Sequence, residues 1–424
     1  MILLVTFLFA SIFFSIGVFA QPEPNYNEEA IEPYVLPELL TLSNGEKIHT
    51  AEDWELKRRP EILDFYKNEV YGYHPETILQ RTSVKVVEES DSALNGHAIR
   101  KQIAIIYESN GIQLTINVLI YLPNDVTFPP VFVGYNFYGN QSVINDPNIV
   151  LTDSWVQNNA DSSITEHRVT EDSRGKRSHR WPIEKIIGEG FGIATIYYGD
   201  VDPDRNDFTD GIHPFFYEDG QEKPSNHEWG SISAWAWGLS TVLDFLKADE
   251  LLHDSSFILF GHSRLGKTSL WAGALDTRFD MVISNDSGCG GAAIFRRKYG
   301  ETAAIINQSF PHWFNKNFKK YSHNENALPV DQHMLIALIA PRPVYIASAE
   351  DDRWADPKGE YLGGYYASPV YELYGKTGLT NSVMPATNEP IHHTIGYHIR
   401  TGGHDVTEYD WEQFISFARK HLND

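Results

Sequence analysis

Residues 256–267 read Ser-Phe-Ile-Leu-Phe-Gly-His-Ser-Arg-Leu-Gly-Lys, and their order decides the fold. The apolar run Phe257 to Phe260 predicts a buried strand. Gly261 and Gly266 mark a sharp turn, and Thr268 to Leu275 predicts the helix that follows. Ser263 stands at the apex. In a strand–turn–helix unit of this kind the apical hydroxyl projects above a parallel sheet, and the helix N-terminus behind it favours developing negative charge. The spacing departs from G-x-S-x-G. Leu265 takes the second glycine position and the glycine falls one residue later. On the motif alone, the plainer reading is a glycine-rich turn with an incidental serine.

Working outward from this stretch, the N-terminal side predicts a helix at 229–247, a strand at Gly192 to Tyr197, a helix at Pro182 to Gly188 and a strand at Pro129 to Tyr138. Farther back lie three strand-like runs, Ser83 to Val87, His97 to Tyr107 and Ile112 to Tyr121. The last two flank Ser109-Asn110-Gly111, a hairpin signal. A helix over 52–70 carries Trp54, Leu56, Ile62, Leu63 and Phe65, and the Pro- and Glu-rich stretch Glu23 to Asn44 is expected to wrap the surface. On the C-terminal side come strands at 281–284, Pro343 to Ala347 and 395–400, with helices at 331–339 and 408–421. Antiparallel strands first, then alternating helix and strand, predict an α/β-hydrolase fold: a mainly parallel sheet sandwiched by helices, with antiparallel N-terminal strands. One catalytic domain is expected over 21–424, with insertions near 141–180 and 290–328. Ligands of such sheets bind beyond the carboxyl ends of the strands.

Met1 to Ala20 carries no charge and is almost wholly apolar, and Val18-Phe19-Ala20 before Gln21 resembles a cleavage site. Residues 1–20 are read as a signal peptide of a secreted or periplasmic protein; an uncleaved membrane anchor is the alternative. Gln21 is not a cysteine, which argues against a lipoprotein anchor. The chain has 34 Lys and Arg against 57 Asp and Glu, a formal net charge of −23. That disfavours nucleic acid or an anionic membrane surface as partner, and a monomer is expected. The single cysteine, Cys289, precludes an intrachain disulfide, and its Gly-rich apolar setting predicts a buried, inert thiol. Ten Trp and 22 Tyr mostly serve the core, although aromatic faces in a cleft also suit sugar rings.

A serine nucleophile needs a base held by an acid, and in this fold the chain order is Ser, then Asp or Glu, then His. Of the downstream histidines (His312, His323, His333, His392, His393, His398 and His404), His404 follows Thr401-Gly402-Gly403, between a strand and the last helix. Glycines there let a loop fold back over the elbow. The others fall on helices, insertions or strand interiors, where packing or surface roles are expected. Two strand ends offer an acid: Asp286 in Asn285-Asp286-Ser287-Gly288, and the run Glu350-Asp351-Asp352. Asp352 is the expected main partner of His404, Asp286 is expected near enough to the imidazole to share the work, and Asp351 is the fallback. The loop Asn136 to Asn140 is where an oxyanion-binding backbone N–H is expected. Arg264, beside the serine, suits an oxyanion or a carboxylate group; a salt bridge to a nearby acid is its plainer reading. Asp200-Val-Asp202-Pro-Asp204 lacks the glycine and glutamate of a calcium loop and is expected to be a solvated acidic loop. No His or Cys cluster has zinc spacing, and neither metal nor cofactor is invoked.

These residues resemble the glucuronoyl esterases of carbohydrate esterase family 15. The resemblance is carried by Gly261-His262-Ser263-Arg264-Leu265-Gly266-Lys267, by Ser287-Gly288-Cys289-Gly290-Gly291, by Trp354-Ala355-Asp356-Pro357-Lys358-Gly359-Glu360 and by Gly403-His404, and runs from about residue 130 to the C-terminus. It implies a secreted, metal-independent serine esterase acting on esters between (4-O-methyl-)glucuronic acid of glucuronoxylan and lignin alcohols. It implies Ser263 as nucleophile, His404 as base, Arg264 as oxyanion stabiliser, and Lys267, Glu301 and Trp354 as sugar contacts. In many members the acid before Ser-Gly is Glu, where this chain has the shorter Asp286; bacterial members resemble this chain in carrying an acid after the later strand. The alternatives are an acetyl xylan or other carbohydrate esterase, and a non-catalytic sugar-binding protein of the same fold. Arg264 and Lys267 suit a uronic acyl group better than a bare acetyl.

Overall fold

In a computed structural model, which describes residues 23–75, 79–158 and 162–422, the run after Ser256 is a strand with both faces covered. Phe257 and Leu259 enter one apolar cluster, Ile258 and Phe260 the other. Side chains alternate across a strand, so a continuous apolar run means burial on both sides, the mark of a central parallel strand.

Ten strands form one sheet: β1 (Ser83–Ser92), β2 (Ala98–Ser109), β3 (Ile112–Pro123), β4 (Val131–Asn136), β5 (Gly192–Tyr197), β6 (Phe257–His262), β7 (Met281–Asn285), β8 (Val344–Ala349), β9 (Ile391–His392) and β10 (Ile395–Arg400). Their spatial order is β1-β2-β3-β5-β4-β6-β7-β8-β10-β9. Pairing is parallel from β5 through β4, β6, β7 and β8 to β10, and antiparallel among β1, β2, β3 and β5 and between β9 and β10. This is the α/β-hydrolase arrangement expected from the sequence. The β2–β3 hairpin turns through Asn110 and Gly111, both at positive φ, as a tight hairpin requires. β1 runs five residues beyond its expected end at Val87, and Val84, Val86 and Val87 are exposed on this edge strand.

Helices α1 (Arg59–Tyr66), α2 (Ile183–Gly188), α3 (Ser231–Leu246), α4 (Arg264–Leu275), α5 (Pro357–Leu373) and α6 (Glu408–Leu422) cover the sheet. Trp235 and Leu239 of α3 and Trp271 of α4 join one cluster; Ile183 and Ile186 of α2 and Trp411 and Phe414 of α6 join the other. In the N-terminal helix Trp54 and Ile62 are buried, whereas Leu56 faces solvent. The segment after residue 23 runs along the surface, with Glu28 bonded to Arg297 and Lys358. No described helix is long and apolar enough to cross a membrane. The expected signal segment, 1–20, lies outside the described residues.

One expectation is overturned. Asp200, Asp202 and Asp204 do not form a solvated loop; all three are buried. Asp200 accepts hydrogen bonds from the Asn117 backbone and side chain and from Ser154, and Asp204 is enclosed by side chains of two other segments, Arg264 and the pair His312–Trp313. An acidic run is solvated by default, but a carboxylate that finds enough donors can be buried.

Candidate active site

Register brings four strand ends together. In the parallel ladders His262 pairs with Asn285, Ala347 with Asn285 and Ala349 with Arg400. The residues just beyond these ends, Ser263, Asp286, Asp352 and His404, therefore share one rim of the sheet.

Ser263 is the hinge between β6 and α4, at φ 59° and ψ −128°. A non-glycine residue there is strained by about 1–3 kcal/mol, and such strain collects at functional sites. The turn is held by the bond from Ser263 N–H to the Asn285 carbonyl, at 2.9 Å. The flanking glycines have separate causes. A Cβ on Gly261 would lie 2.0 Å from the Leu265 carbonyl oxygen, and one on Gly266 would lie 3.0 Å from Ser287 Cβ. At position 266 helix α4 thus lies against the turn that follows β7, while Leu265 turns into the core. That explains why the second glycine falls one residue late.

His404 Nδ1 donates to Asp352 Oδ2 at 2.6 Å. The loops that carry them are laced together by bonds from Glu350 N–H to Arg400 O and from Asp351 N–H to Gly402 O. Asp352 turns inward, whereas Glu350 and Asp351 are exposed. The Asp286 carboxylate is also near: it, Asp352 and a ring nitrogen of His404 lie within 4.8 Å of one another. Yet Asp286 Oδ2 is held by Asn285 Nδ2 (3.2 Å) and Arg400 Nη2 (3.5 Å). Burial, then the charges of Glu360 and Asp352, push the Asp286 carboxyl well above the usual range. Beneath His404, the His262 ring lies 4.5 Å away and accepts from Asn285 Nδ2 at its Nδ1. Burial, then His404, keep His262 neutral by lowering its pKa far below the usual value.

Arg264 opens α4. Its Nη1 donates to Asp204 Oδ2, and its guanidinium sits among Phe137 (5.4 Å), Phe310 (5.8 Å) and Trp313 (5.0 Å). The plainer sequence reading of Arg264, a salt bridge to a nearby acid, is what the structure shows, and the residue stays next to Ser263 in the chain. One turn along, Lys267 Nζ donates to the Ser287 carbonyl (2.6 Å) and lies 3.6 Å from Glu301 Oε2. Burial, against the pull of Lys267, raises the Glu301 carboxyl. Glu301 N–H bonds the Trp354 carbonyl (2.9 Å), and Trp354 is 38% exposed. The structure thus joins Lys267, Glu301 and Trp354 in one wall. Sequence reasoning missed Asp204 and also Glu360, a buried carboxylate accepting from Ser287 N–H (2.7 Å), Gly288 N–H (2.9 Å) and Ser348 Oγ (2.7 Å). Cys289 is buried, and burial pushes its thiol well up.

This arrangement can deprotonate a serine hydroxyl, steady an anion beside it and hold a polyhydroxylated group against Lys267 and Glu301. Comparisons with known proteins point to esterases. The family model for fungal glucuronyl esterases matches residues 190–375. A carbohydrate esterase of an unknown prokaryotic organism is 47% identical over 409 residues, which is 96% of this chain and 94% of that protein. A 4-O-methyl-glucuronoyl methylesterase of Schizophyllum commune is 26% identical over 360 residues, 80% of this chain and 74% of the other. Among solved structures, a promiscuous esterase of carbohydrate esterase family 15 from a marine bacterial metagenome superposes with a TM-score of 0.88 at 46% identity, covering 94% of this chain and all of that one (100%). A glucuronoyl esterase from Solibacter usitatus gives 0.86 at 44% identity, covering 93% and 99%.

Proposed function

This chain belongs to carbohydrate esterase family 15, and we propose that it is a serine esterase that hydrolyses esters of glucuronic or 4-O-methyl-glucuronic acid, such as those joining glucuronoxylan to lignin alcohols. The observation that carries the reading is the cationic pair on one turn of α4: Arg264 beside the elbow, and Lys267 with Glu301 one turn deeper. A bare acetyl group gives Lys267 and Glu301 nothing to bond; a uronic sugar does.

In this reading Asp352 fixes the proton on His404 Nδ1, leaving Nε2 free to take the Ser263 proton. Ser263 Oγ attacks the ester carbonyl, and the oxyanion of the tetrahedral intermediate is met by Arg264. His404 returns the proton to the departing alcohol. A water molecule, deprotonated by the same imidazole, then attacks the acyl-enzyme; collapse releases the uronic acid and restores the Ser263 proton. Asp286 is a second acid that shares the work of Asp352. Lys267, Glu301 and Trp354 hold the sugar. The roles need no metal.

The deciding experiment compares hydrolysis of benzyl glucuronate with that of acetylated xylan. Faster turnover of the glucuronate is expected, and activity on the acetyl ester alone would reject the reading. Labelling of Ser263 by a fluorophosphonate separates an esterase from a non-catalytic sugar-binding protein. We further read residues 21–424 as one exported, monomeric catalytic domain. N-terminal sequencing of the mature protein is expected to begin at Gln21, and size-exclusion chromatography to give the monomer mass.

A further inference from the structure

We propose that Asp204 is a positioning residue for the reaction: its carboxylate fixes the Arg264 guanidinium at the angle from which it meets the oxyanion. This rests on the reading of Arg264 as the oxyanion donor.

Asp204 lies in the loop after β5, sixty residues before Arg264 (|i−j| = 60). Its Oδ1 accepts from His312 Nε2 at 2.8 Å and Trp313 Nε1 at 2.7 Å. Its Oδ2 accepts from Tyr198 Oη at 3.1 Å and from Arg264 Nη1. A carboxylate offers about four lone-pair sites, so these donors saturate it and leave it no freedom to rotate. His312 donates through Nε2, and its Nδ1 is buried without a partner. Arg264 is the guanidinium ion-paired with Asp204. Burial alone would raise the Asp204 carboxyl; Arg264 and then His312 hold it well below the usual range.

The pair is lopsided. The Asp204 side chain is 4% exposed, the Arg264 side chain 22%. The acid is thus the buried anchor, and the cation is its face toward the cleft. Phe137, Phe310 and Trp313 limit how far the guanidinium can tilt, but aromatic faces do not fix rotation in its plane. A hydrogen-bonded carboxylate does. Electrostatic catalysis needs its donors fixed before charge develops, and a slack donor loses most of its effect. The insertion 290–328 acts here through His312 and Trp313, which hold Asp204.

The test is a double-mutant cycle with Asp204→Asn and Arg264→Ala, reading kcat and KM on benzyl glucuronate. Arg264→Ala is expected to lower kcat roughly 10²–10³-fold, as for loss of one oxyanion donor. Asp204→Asn should lower kcat about tenfold or more with KM nearly unchanged, because the donor is still present but misaligned. In the Arg264→Ala background, Asp204→Asn should cost no further activity. Residues that act through one another are non-additive, whereas a merely structural role gives the product of the single effects and overturns the proposal. If Arg264→Ala leaves kcat intact, the oxyanion reading falls first, and that result is distinct. Should Asp204→Asn not fold, His312→Leu and His312→Gln replace it. Leu removes one donor from Asp204 and should lower kcat, while Gln should restore it; wild-type kcat in His312→Leu overturns the proposal.

Discussion

Asp352→Asn probes the acid that the sequence offered in three versions. In the folded chain the His404–Asp352 bond, at 2.6 Å, is as short as a charge-assisted bond. The acid is 4% exposed and the imidazole 40%, so solvent reaches the ring but not the carboxylate. Asparagine keeps the shape and removes the charge. If its amide faces the ring, it drives the proton to Nε2, and His404 can no longer accept from Ser263. If its carbonyl faces the ring, the tautomer survives but the imidazolium loses its counter-charge. By analogy with a wrong-tautomer triad mutant, the expected loss in kcat is on the order of 10³–10⁴, or about 4–5.5 kcal/mol of barrier. Asp286 sets the residue of activity. Its carboxylate is within 4.8 Å of the site, but it is bonded to Asn285 and Arg400, and burial makes it reluctant to ionise. Asp286→Asn alone should therefore cost less than Asp352→Asn. In the Asp352→Asn background it should cost more, because it then removes the remaining acid and because the Asp352 charge no longer pushes its pKa up. Steady-state kcat and kcat/KM on benzyl glucuronate, with fluorophosphonate labelling to count intact sites, measure all four proteins. A more damaging Asp286→Asn, or a double mutant equal to the product of the singles, would refute the reasoning.

Ser263→Ala and His404→Ala should each lower turnover on the order of 10⁶-fold without shifting the unfolding midpoint; retention of a tenth of activity, about 1.4 kcal/mol of barrier, rejects that residue's role. Lys267→Met should raise KM for glucuronate esters roughly 10–100-fold, the worth of a hydrogen bond to a charged group, and spare acetyl esters; equal losses on both substrates would count against a sugar contact. Burial raises the Glu360 carboxyl from 4.5 to about 8. Between those values the folded chain keeps a proton that the unfolded chain has released, so stability falls as pH rises through that window. Glu360→Gln can keep the carbonyl bonds to Ser287 and Gly288 and donate to Ser348, and should flatten the slope; thermal melts between about pH 5 and about pH 8 check it, and an unchanged slope rejects it. Dialysis against EDTA should leave turnover unaltered, since Asp352 and His404 already bond each other and Asp286 faces Arg400; a loss restored by a divalent ion would overturn this.

What was legible in the sequence is what local pattern encodes. The run Phe257 to Phe260 declares a strand buried on both faces, and Gly261 declares a turn, because each is written in a few adjacent residues; Gly266 answers instead to Ser287 of another segment. His404 was legible because Gly402 and Gly403 end a strand before a helix. Asp352 was the expected partner, with Asp286 and Asp351 kept as alternatives; which acid turns inward depends on the lacing of two loops far apart in the chain, as the His404–Asp352 separation of 52 makes concrete. Asp204 was misread for the same reason. Its partners Arg264, His312 and Trp313 are 60, 108 and 109 residues away, and nothing near Asp204 in the chain announces them. Periodicity reports a segment's own face, not the donor that arrives from another segment.

The division of labour follows from those separations. Strand ends supply Ser263, Asp286, Asp352 and His404, whose relative places are set by the ladders of a buried sheet and tolerate little change. Of the proposed sugar contacts, Glu301 and Trp354 come instead from segments that the sheet does not fix, whereas Lys267 rides on α4. Glu301 hangs on the Trp354 carbonyl, Gly300 N–H on the Asn25 carbonyl (2.8 Å), and Arg353 on Tyr26 and Tyr299. The proposed substrate wall therefore joins the N-terminal strap, the 290–328 insertion and the loop after β8, with backbone bonds from Gly300 to Asn25 and from Glu301 to Trp354. Loops on a rigid scaffold vary more readily than the scaffold does. Substitutions along this wall should then alter which ester is bound, while the serine chemistry, resting on the register of β6, β7, β8 and β10, stays as it is.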